Sequence, residues 1–341
     1  MTRAILGWDV GGAHLKAARL GEDGRLEAAR IAPCALWKGL DQLDAALDAL
    51  AEPGCASAVT MTGELVDLFP DRAAGVAALV ERLSTRLGGD TAFYAGGAGF
   101  LASDLVSAQW RDVASANWRA TAEALALEGD GLLVDVGSTT SDIVPFLSGH
   151  VSALGATDAG RMACDELVYL GVARTPVMAI APRVPFGGGW IAPMAEHFAT
   201  SADVFRLTGE LPDGADLHAA ADGGPKTVEA SARRLLRMVG VDLSEGSRAD
   251  ARALASWLSE AVLRRLADAV ALVLSRDGAA GAPTIYGAGV GRFLAAAVAR
   301  RLGLMYRDVG EVWSDDPALA AAAANAAPAV AVARLFAARQ G

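Results

Sequence analysis

The sequence predicts an α/β protein of two similar domains with a cleft between them. Three observations carry this. Asp9-Val-Gly-Gly and Asp135-Val-Gly-Ser stand 126 residues apart, each an aspartate ending an apolar strand before a tight turn. Each turn leads into another strand, whereas a Rossmann dinucleotide fold would place a helix there. A third glycine turn, "YGAGVGRF" (286–293), follows a strand and opens a helix. One strand–turn–strand unit used twice implies two related domains.

The elements follow in order. "RAILGWDVGG" is a short apolar strand with a Gly turn, "HLKAARL" returns as a second strand, "GEDG" (21–24) is a turn and "RLEAARIA" a third strand. Apolar residues at 40, 43, 47 and 50 repeat at the helical period. "ASAVTMTGEL" is a strand ending in polar residues, "RAAGVAALVERLSTRL" a helix, "TAFYAGG" a strand and "WRATAEALAL" a helix. "DGLLVDVGSTTSDIVPFLSGHV" then repeats the opening design. Residues 185–245 read as loops, "PFGGGW" and "ADGGP", around short helical pieces. Residues 247–276 form a long amphipathic helix, with Ser247 and Asp250 as a capping box. "APTIYGAGVGRFLAAAVARRLG" is strand, turn and helix. The Ala-rich stretch 317–333 is short for a membrane span and reads as a buried helix kinked near Pro328. The expected domains are 1–125, with a helix at about 317–341 packing back on it, and 126–316, with a mainly helical insertion at about 185–275.

Composition narrows the function. The net charge is −10, so a nucleic-acid surface is not expected. Three scattered cysteines and four histidines give neither a disulfide framework nor a zinc spacing. Asp9 interrupts the first apolar run too early for a signal peptide. A cytoplasmic protein without a membrane partner is expected, and a homo-oligomer is left open.

The chemistry concentrates on the turns. A carboxylate at a strand end beside a glycine turn suits Mg²⁺, so Asp9 and Asp135 are the expected metal ligands. Gly11, Gly12, Ala13 and His14 in the first turn, and Gly137, Ser138, Thr139 and Thr140 in the second, offer backbone amides and hydroxyls to phosphate. Lys16 can neutralise a phosphate. Gly287 and Gly289 supply a third turn for a nucleotide or for close helix–strand packing. Glu64 ends a strand in "TMTGEL", and Asn117 starts a helix in "ASANW"; plain capping or packing explains either equally. The charges of segment 155–177 read as a solvated helix face with internal ion pairs.

These turns in this order resemble the actin-like ATPase superfamily of sugar kinases, acetate kinase and Hsp70. Within it, "GWDVGGAHLK", "TMTGELVDLF", "SANW", "LLVDVGSTTSDIVP", "TDAGRMACDELVYLGVARTPV", "AEHFATSADVFRL", "ARRLLRMVGVD" and "IYGAGVGRFLA" resemble the hydantoinase A/oxoprolinase family. The resemblance implies two ribonuclease-H-like domains of the actin type. The short chain is similar to the branch that makes the furan cofactor of one-carbon metabolism, methanofuran or methylofuran. That branch implies a transferase joining an aminomethyl-furyl-methyl diphosphate to a tyramine- or tyrosine-derived phenol, forming an ether and releasing pyrophosphate. Asp9, Lys16 and Asp135, with Mg²⁺, would stabilise the leaving group. Asp158 or Glu64 would orient or deprotonate the phenol, Arg161 would bind a substrate carboxylate, and Asn117 would contact substrate. An ATP-dependent amidohydrolase or small-molecule kinase is the first alternative, and a non-catalytic nucleotide-binding subunit the second. His14 departs from the Asn that the family places in this turn.

Overall fold

A computed structural model describes residues 3–276 and 284–340. Ala282 and Pro283, expected to start a strand, and Gly341, at the end of the expected last helix, lie outside the described residues. The chain divides into two compact units. The first comprises Met1–Leu133, Val144–Asp158 and Arg307–Gly341; the second comprises Val134–Ile143 and Ala159–Tyr306.

The first sheet holds β1 (Ile5–Val10), β2 (His14–Leu20), β3 (Leu26–Pro33), β4 (Ala56–Met61), β5 (Thr91–Tyr94) and β6 (Phe100–Leu101), in the order β3-β2-β1-β4-β5-β6. β1 pairs antiparallel with β2 and parallel with β4, so β1 is central and every one of its residues is buried. A strand follows the first glycine turn, as the sequence indicates. Trp8, Val10, Leu15, Leu43, Leu47, Val59, Met61, Leu79 and Phe93 form the core of this layer. Each large side chain buried here contributes about 1.5–3 kcal/mol.

The Ala-rich tail packs on the same sheet. Helices Pro317–Asn325 and Ala327–Gln340 meet at a bend of 96°. The break falls at Ala326, just before the place expected, because Pro328 sits in the first turn of the second helix, where its missing N–H costs nothing. Gly7 lets that helix approach: an added Cβ would meet the Ala329 carbonyl oxygen at 2.0 Å. Residues 327–333 are buried. Among the described residues no single helix is long and apolar enough to cross a membrane.

The second sheet runs in the order β10-β8-β7-β13-β14, with β9 on β8, where β7 is Gly131–Val136, β8 Ser141–Leu147, β9 His150–Val151, β10 Leu167–Val168, β13 Thr284–Ala288 and β14 Met305–Asp308. A separate hairpin joins β11 (Val184–Phe186) to β12 (Gly189–Ile191). This corrects the expected loop. Gly187 (φ 59°) and Gly188 (φ 78°) supply the two left-handed positions of a tight hairpin turn, which the apolar periodicity did not reveal.

Helices Ser201–Thr208, Val228–Arg237 and Arg248–Leu274 pack together around Val204, Leu235, Leu236, Leu254 and Leu258. The expected capping box is present: Asp250 N donates to Ser247 Oγ at 3.1 Å and Ser247 N to Asp250 Oδ2 at 2.9 Å.

Candidate active site

The two glycine turns close alike. Gly11 N donates to His14 O at 3.0 Å, and Gly137 N donates to Thr140 O at 2.8 Å. Each aspartate precedes its glycine by two residues, so Asp9 matches Asp135 and His14 matches Thr140. The turn closes on the carbonyl of the fourth residue and so does not depend on that residue's side chain, which admits His14. Gly12 O and Ala13 O accept from Leu36 N and Cys34 N, which ties the turn to the chain after β3.

In the first unit, Lys16, Asp9 and Thr60 form one row across β2, β1 and β4 by register. Lys16 Nζ lies 3.0 Å from Asp9 Oδ2. Asp9 is 2% exposed, and its Oδ1 has no hydrogen-bond partner. Buried carboxylate oxygens are ordinarily satisfied, and an orphan at a strand end fits a hard cation. Among the described residues no three His, Cys, Asp or Glu side chains gather as a metal site. Mg²⁺ is ordinarily held by one or two carboxylates together with substrate phosphates and water.

A second cluster stands in the same unit. Glu64 lies in the 3₁₀ turn Gly63–Leu65, directly after β4 and at the same sheet end as Gly11. Thr62 N donates to Val10 O, which fixes that position. Ser115 Oγ donates to Glu64 Oε1 at 2.9 Å and lies 3.4 Å from Asp158 Oδ2. Arg72 pairs with Asp158. Burial pushes the Glu64 carboxyl above its ordinary range; hydrogen bonds from its own backbone and from Ser115, and the charge of Arg72, oppose this, while Asp158 adds to it. The structure therefore brings Glu64 and Asp158 together through Ser115, a residue within "ASANW" that the sequence reading passed over. Its signal was a non-glycine residue at φ 51°, which sequence does not reveal.

In the second unit, Gly289 (φ 80°) passes against Asp135: an added Cβ would stand 2.4 Å from Asp135 Oδ1 and 2.3 Å from Val136 O. Gly291 N donates to Val136 O at 2.8 Å. The third turn thus buttresses the second. A Cβ added at Gly287 would stand 2.5 Å from the Tyr306 hydroxyl, so the strand passes close to that ring. Ser138 and Thr139 hydroxyls stand 3.4 Å apart, and Arg174 Nη1 reaches Thr139 Oγ1 at 3.4 Å. Arg174 N also donates to Ser138 O at 2.8 Å.

Three expectations are corrected. Arg161 is 1% exposed, and its Nη2 donates to Asp142 Oδ1 at 2.8 Å and Glu166 O at 2.9 Å, so it braces the fold where a substrate contact was expected. Asn117 Oδ1 accepts from Trp118 N at 2.7 Å, which makes it a helix-start residue. Segment 155–177 is not a solvated face: Glu166 is fully buried and pairs with Arg276 at 2.5 Å, and Asp165 pairs with Arg265 at 2.5 Å. Its carboxylates reach the long helix and the residues after it, which spacing within the segment could not disclose.

Two units, each with an aspartate-ended strand and a glycine turn, make up a mixed α/β fold. A nucleotide-free acetone carboxylase structure shares it, with a TM-score of 0.52 and 9% identity over 86% of this chain and 66% of that one. The sequence profile described as Hydantoinase/oxoprolinase matches residues 56–334, and the chain belongs to that family. It is 30% identical over 240 residues, 70% of this chain and 72% of the relative, to the (4-{4-[2-(gamma-L-glutamylamino)ethyl]phenoxymethyl}furan-2-yl)methanamine synthase of Methanocaldococcus jannaschii. It is also 30% identical over 114 residues, 33% of this chain and 51% of the relative, to the synthase of the same name from Methanococcus vannielii.

Proposed function

We propose that this protein is a furan-cofactor biosynthetic transferase that condenses a furylmethyl diphosphate with a phenol, forming an aryl ether and releasing pyrophosphate. The observation that carries this is the 30% identity over 72% of a synthase whose named product holds a phenoxymethyl-furan bridge. In that bridge the phenol oxygen is bonded to the furan methylene, which is the bond a diphosphate displacement makes.

The turns support the reading. Lys16 and the Gly11–Gly12 backbone, in the first unit, are assigned to phosphate charge. In the second unit, Ser138, Thr139 and Arg174, whose Nη1 reaches Thr139 Oγ1 at 3.4 Å, are assigned to the same kind of ligand. Mg²⁺ fits Asp9, with its orphan Oδ1; when bound there it would neutralise phosphate charge. The furan ring delocalises positive charge at its methylene as the C–O bond lengthens, so the residues that hold the leaving group do most of the catalytic work. Glu64 takes the phenol proton, its basicity raised by burial. The proton passes to carboxylate, the phenol oxygen bonds to the methylene carbon, and the C–O electron pair leaves with pyrophosphate.

The test is direct. The enzyme is incubated with a furylmethyl diphosphate, tyramine and Mg²⁺ without ATP, and pyrophosphate and ether are measured together. Equal yields of both are expected. Absence of both, or turnover only with ATP and with ADP release, overturns the reading in favour of an amidohydrolase or kinase.

A further inference from the structure

Glu64 poses a problem of proton exit. It is 1% exposed, and its Oε2 is buried with no hydrogen-bond partner. A proton taken from a substrate cannot leave such a group directly to water. Its Oε1 accepts from Ser115 Oγ at 2.9 Å. Beyond Ser115, at 3.4 Å, lies Asp158 Oδ2, whose side chain is 13% exposed and pairs with Arg72.

We propose that Glu64, Ser115 and Asp158 form a proton relay, in which Ser115 is the positioning residue that carries the substrate's proton from the buried carboxyl to the wetter one. The proposal rests on the transferase reading above. A hydroxyl has one proton and two lone pairs, so it donates to one carboxylate while accepting from the other. The phenol proton bonds to Glu64. Glu64 then gives a proton to Ser115 Oγ as Ser115 gives its own to Asp158 Oδ2, and Asp158 releases one to water. One proton enters, one leaves, and the hydroxyl is restored.

The backbone supports this. Ser115 holds φ 51°, a left-handed conformation that a glycine would adopt without strain. Serine persists there with its hydroxyl between two acceptors. The surroundings are specified as well: the charged groups acting on Glu64 are Arg72, which favours its anion, and Asp158, which opposes it. Gly75 brings the helix Arg72–Leu87 onto the Glu64 backbone, where an added Cβ would meet Glu64 O at 2.5 Å. The cluster lies wholly within the first unit.

The test uses Ser115→Gly, which removes the hydroxyl and relieves the backbone strain, the relief offsetting part of the cost of unpairing Glu64 Oε1. Turnover of the furylmethyl diphosphate with tyramine is measured against pH, alongside Glu64→Gln and Asp158→Asn. Ser115→Gly is expected to lower kcat about tenfold or more with KM for the diphosphate unchanged, and to alter the limb of the kcat–pH profile that Glu64→Gln abolishes. An unaltered kcat and profile in Ser115→Gly overturns the relay. Infrared difference spectra across pH give a readout independent of turnover. The protonated-carboxyl band lost in Glu64→Gln is expected to shift in both Ser115→Gly and Asp158→Asn; a band that neither variant moves overturns the proposal. If the parent makes no ether, the transferase reading falls, and the infrared result still decides whether the three groups share a proton.

Discussion

Gly75→Ala sets two effects of known size against each other. Gly75 lies inside the helix Arg72–Leu87, where replacing glycine by alanine favours the helix by about 1 kcal/mol. An added Cβ, however, would stand 2.5 Å from Glu64 O, 2.9 Å from its Cα and 3.0 Å from its Cβ. Ordinary contact begins near 3.4 Å, so helix and turn must part by roughly 0.9 Å. The atoms met are backbone and cannot swing aside. Overpacking of this kind costs about 1–3 kcal/mol. A retreat of that size also takes the 2.9 Å Ser115–Glu64 bond beyond reach. Unpairing a buried polar group adds about 1–3 kcal/mol. The three terms sum to a loss of about 1–5 kcal/mol, and the midpoint near 3 corresponds to some 6–12 °C in a unit of this size. Calorimetry of Gly75→Ala beside Gly89→Ala, which has nothing within 4 Å, measures it. The control should stay within about 0.5 kcal/mol of the parent. A Gly75→Ala protein as stable as the parent, with full turnover, would refute the account of how the Glu64 turn is held.

Other expectations follow from the same geometry. Burial raises the folded-state pKa of Glu64 above its ordinary 4.5. The native state therefore binds more protons than the unfolded chain between those two values, so stability falls as pH rises from about 4.5 through the folded pKa. Glu64→Gln should flatten that decline in urea titrations across pH; a slope equal to the parent's would count against it. Gly289→Ala forces a Cβ at φ 80° to within 2.4 Å of Asp135 Oδ1, and should lower turnover by about 10²-fold or more, as misplacing a catalytic group does. Asp135→Asn should give a loss at least as large, and near-parental rates in either variant would dismiss Asp135 from the reaction. Burial raises the Cys34 thiol from 9.0 to about 11, so mass-spectrometric alkylation at pH 8 should label the half-buried Cys55 and Cys164 well before Cys34.

Period and turn chemistry made most of the fold legible. "HLKAARL" and the apolar run of "ILGWDV" both read as strands, and they differ in burial: the first alternates between buried and half-buried residues, and the second is buried throughout. The hairpin at 184–191 escaped because its signal is two positive φ angles and not a hydrophobic pattern. At the site, Asp9 and Lys16 were legible as a strand-end acid and a nearby cation, and register explains their pairing: they oppose each other across β1 and β2. Arg161 was misread because an arginine beside acidic residues looks the same in sequence whether it faces water or Asp142. Ser115 was invisible for the same reason. Its meaning comes from Glu64 and Asp158, 51 and 43 positions away.

The two turns share one frame and differ in the side chains around it. Both turns end a strand with aspartate and close with the same glycine-to-carbonyl hydrogen bond. Around that shared frame the chemistry has diverged. The first turn has a lysine on the adjacent strand and a paired aspartate with one oxygen unsatisfied. The second has two hydroxyls, an arginine reaching one of them, and a glycine packed on the aspartate itself. A lysine ammonium is a compact charge that follows a mobile anion, whereas hydroxyls and a planar guanidinium bind phosphate oxygens in fixed directions. On the proposed reading, the first turn meets charge that changes during reaction, and the second binds phosphate oxygens in fixed directions. Removing Lys16 should therefore depress kcat more than it raises KM for the diphosphate, and Arg174→Ala should do the reverse. Equal partition of the two effects in both variants would show that the divergence between the turns has no functional meaning.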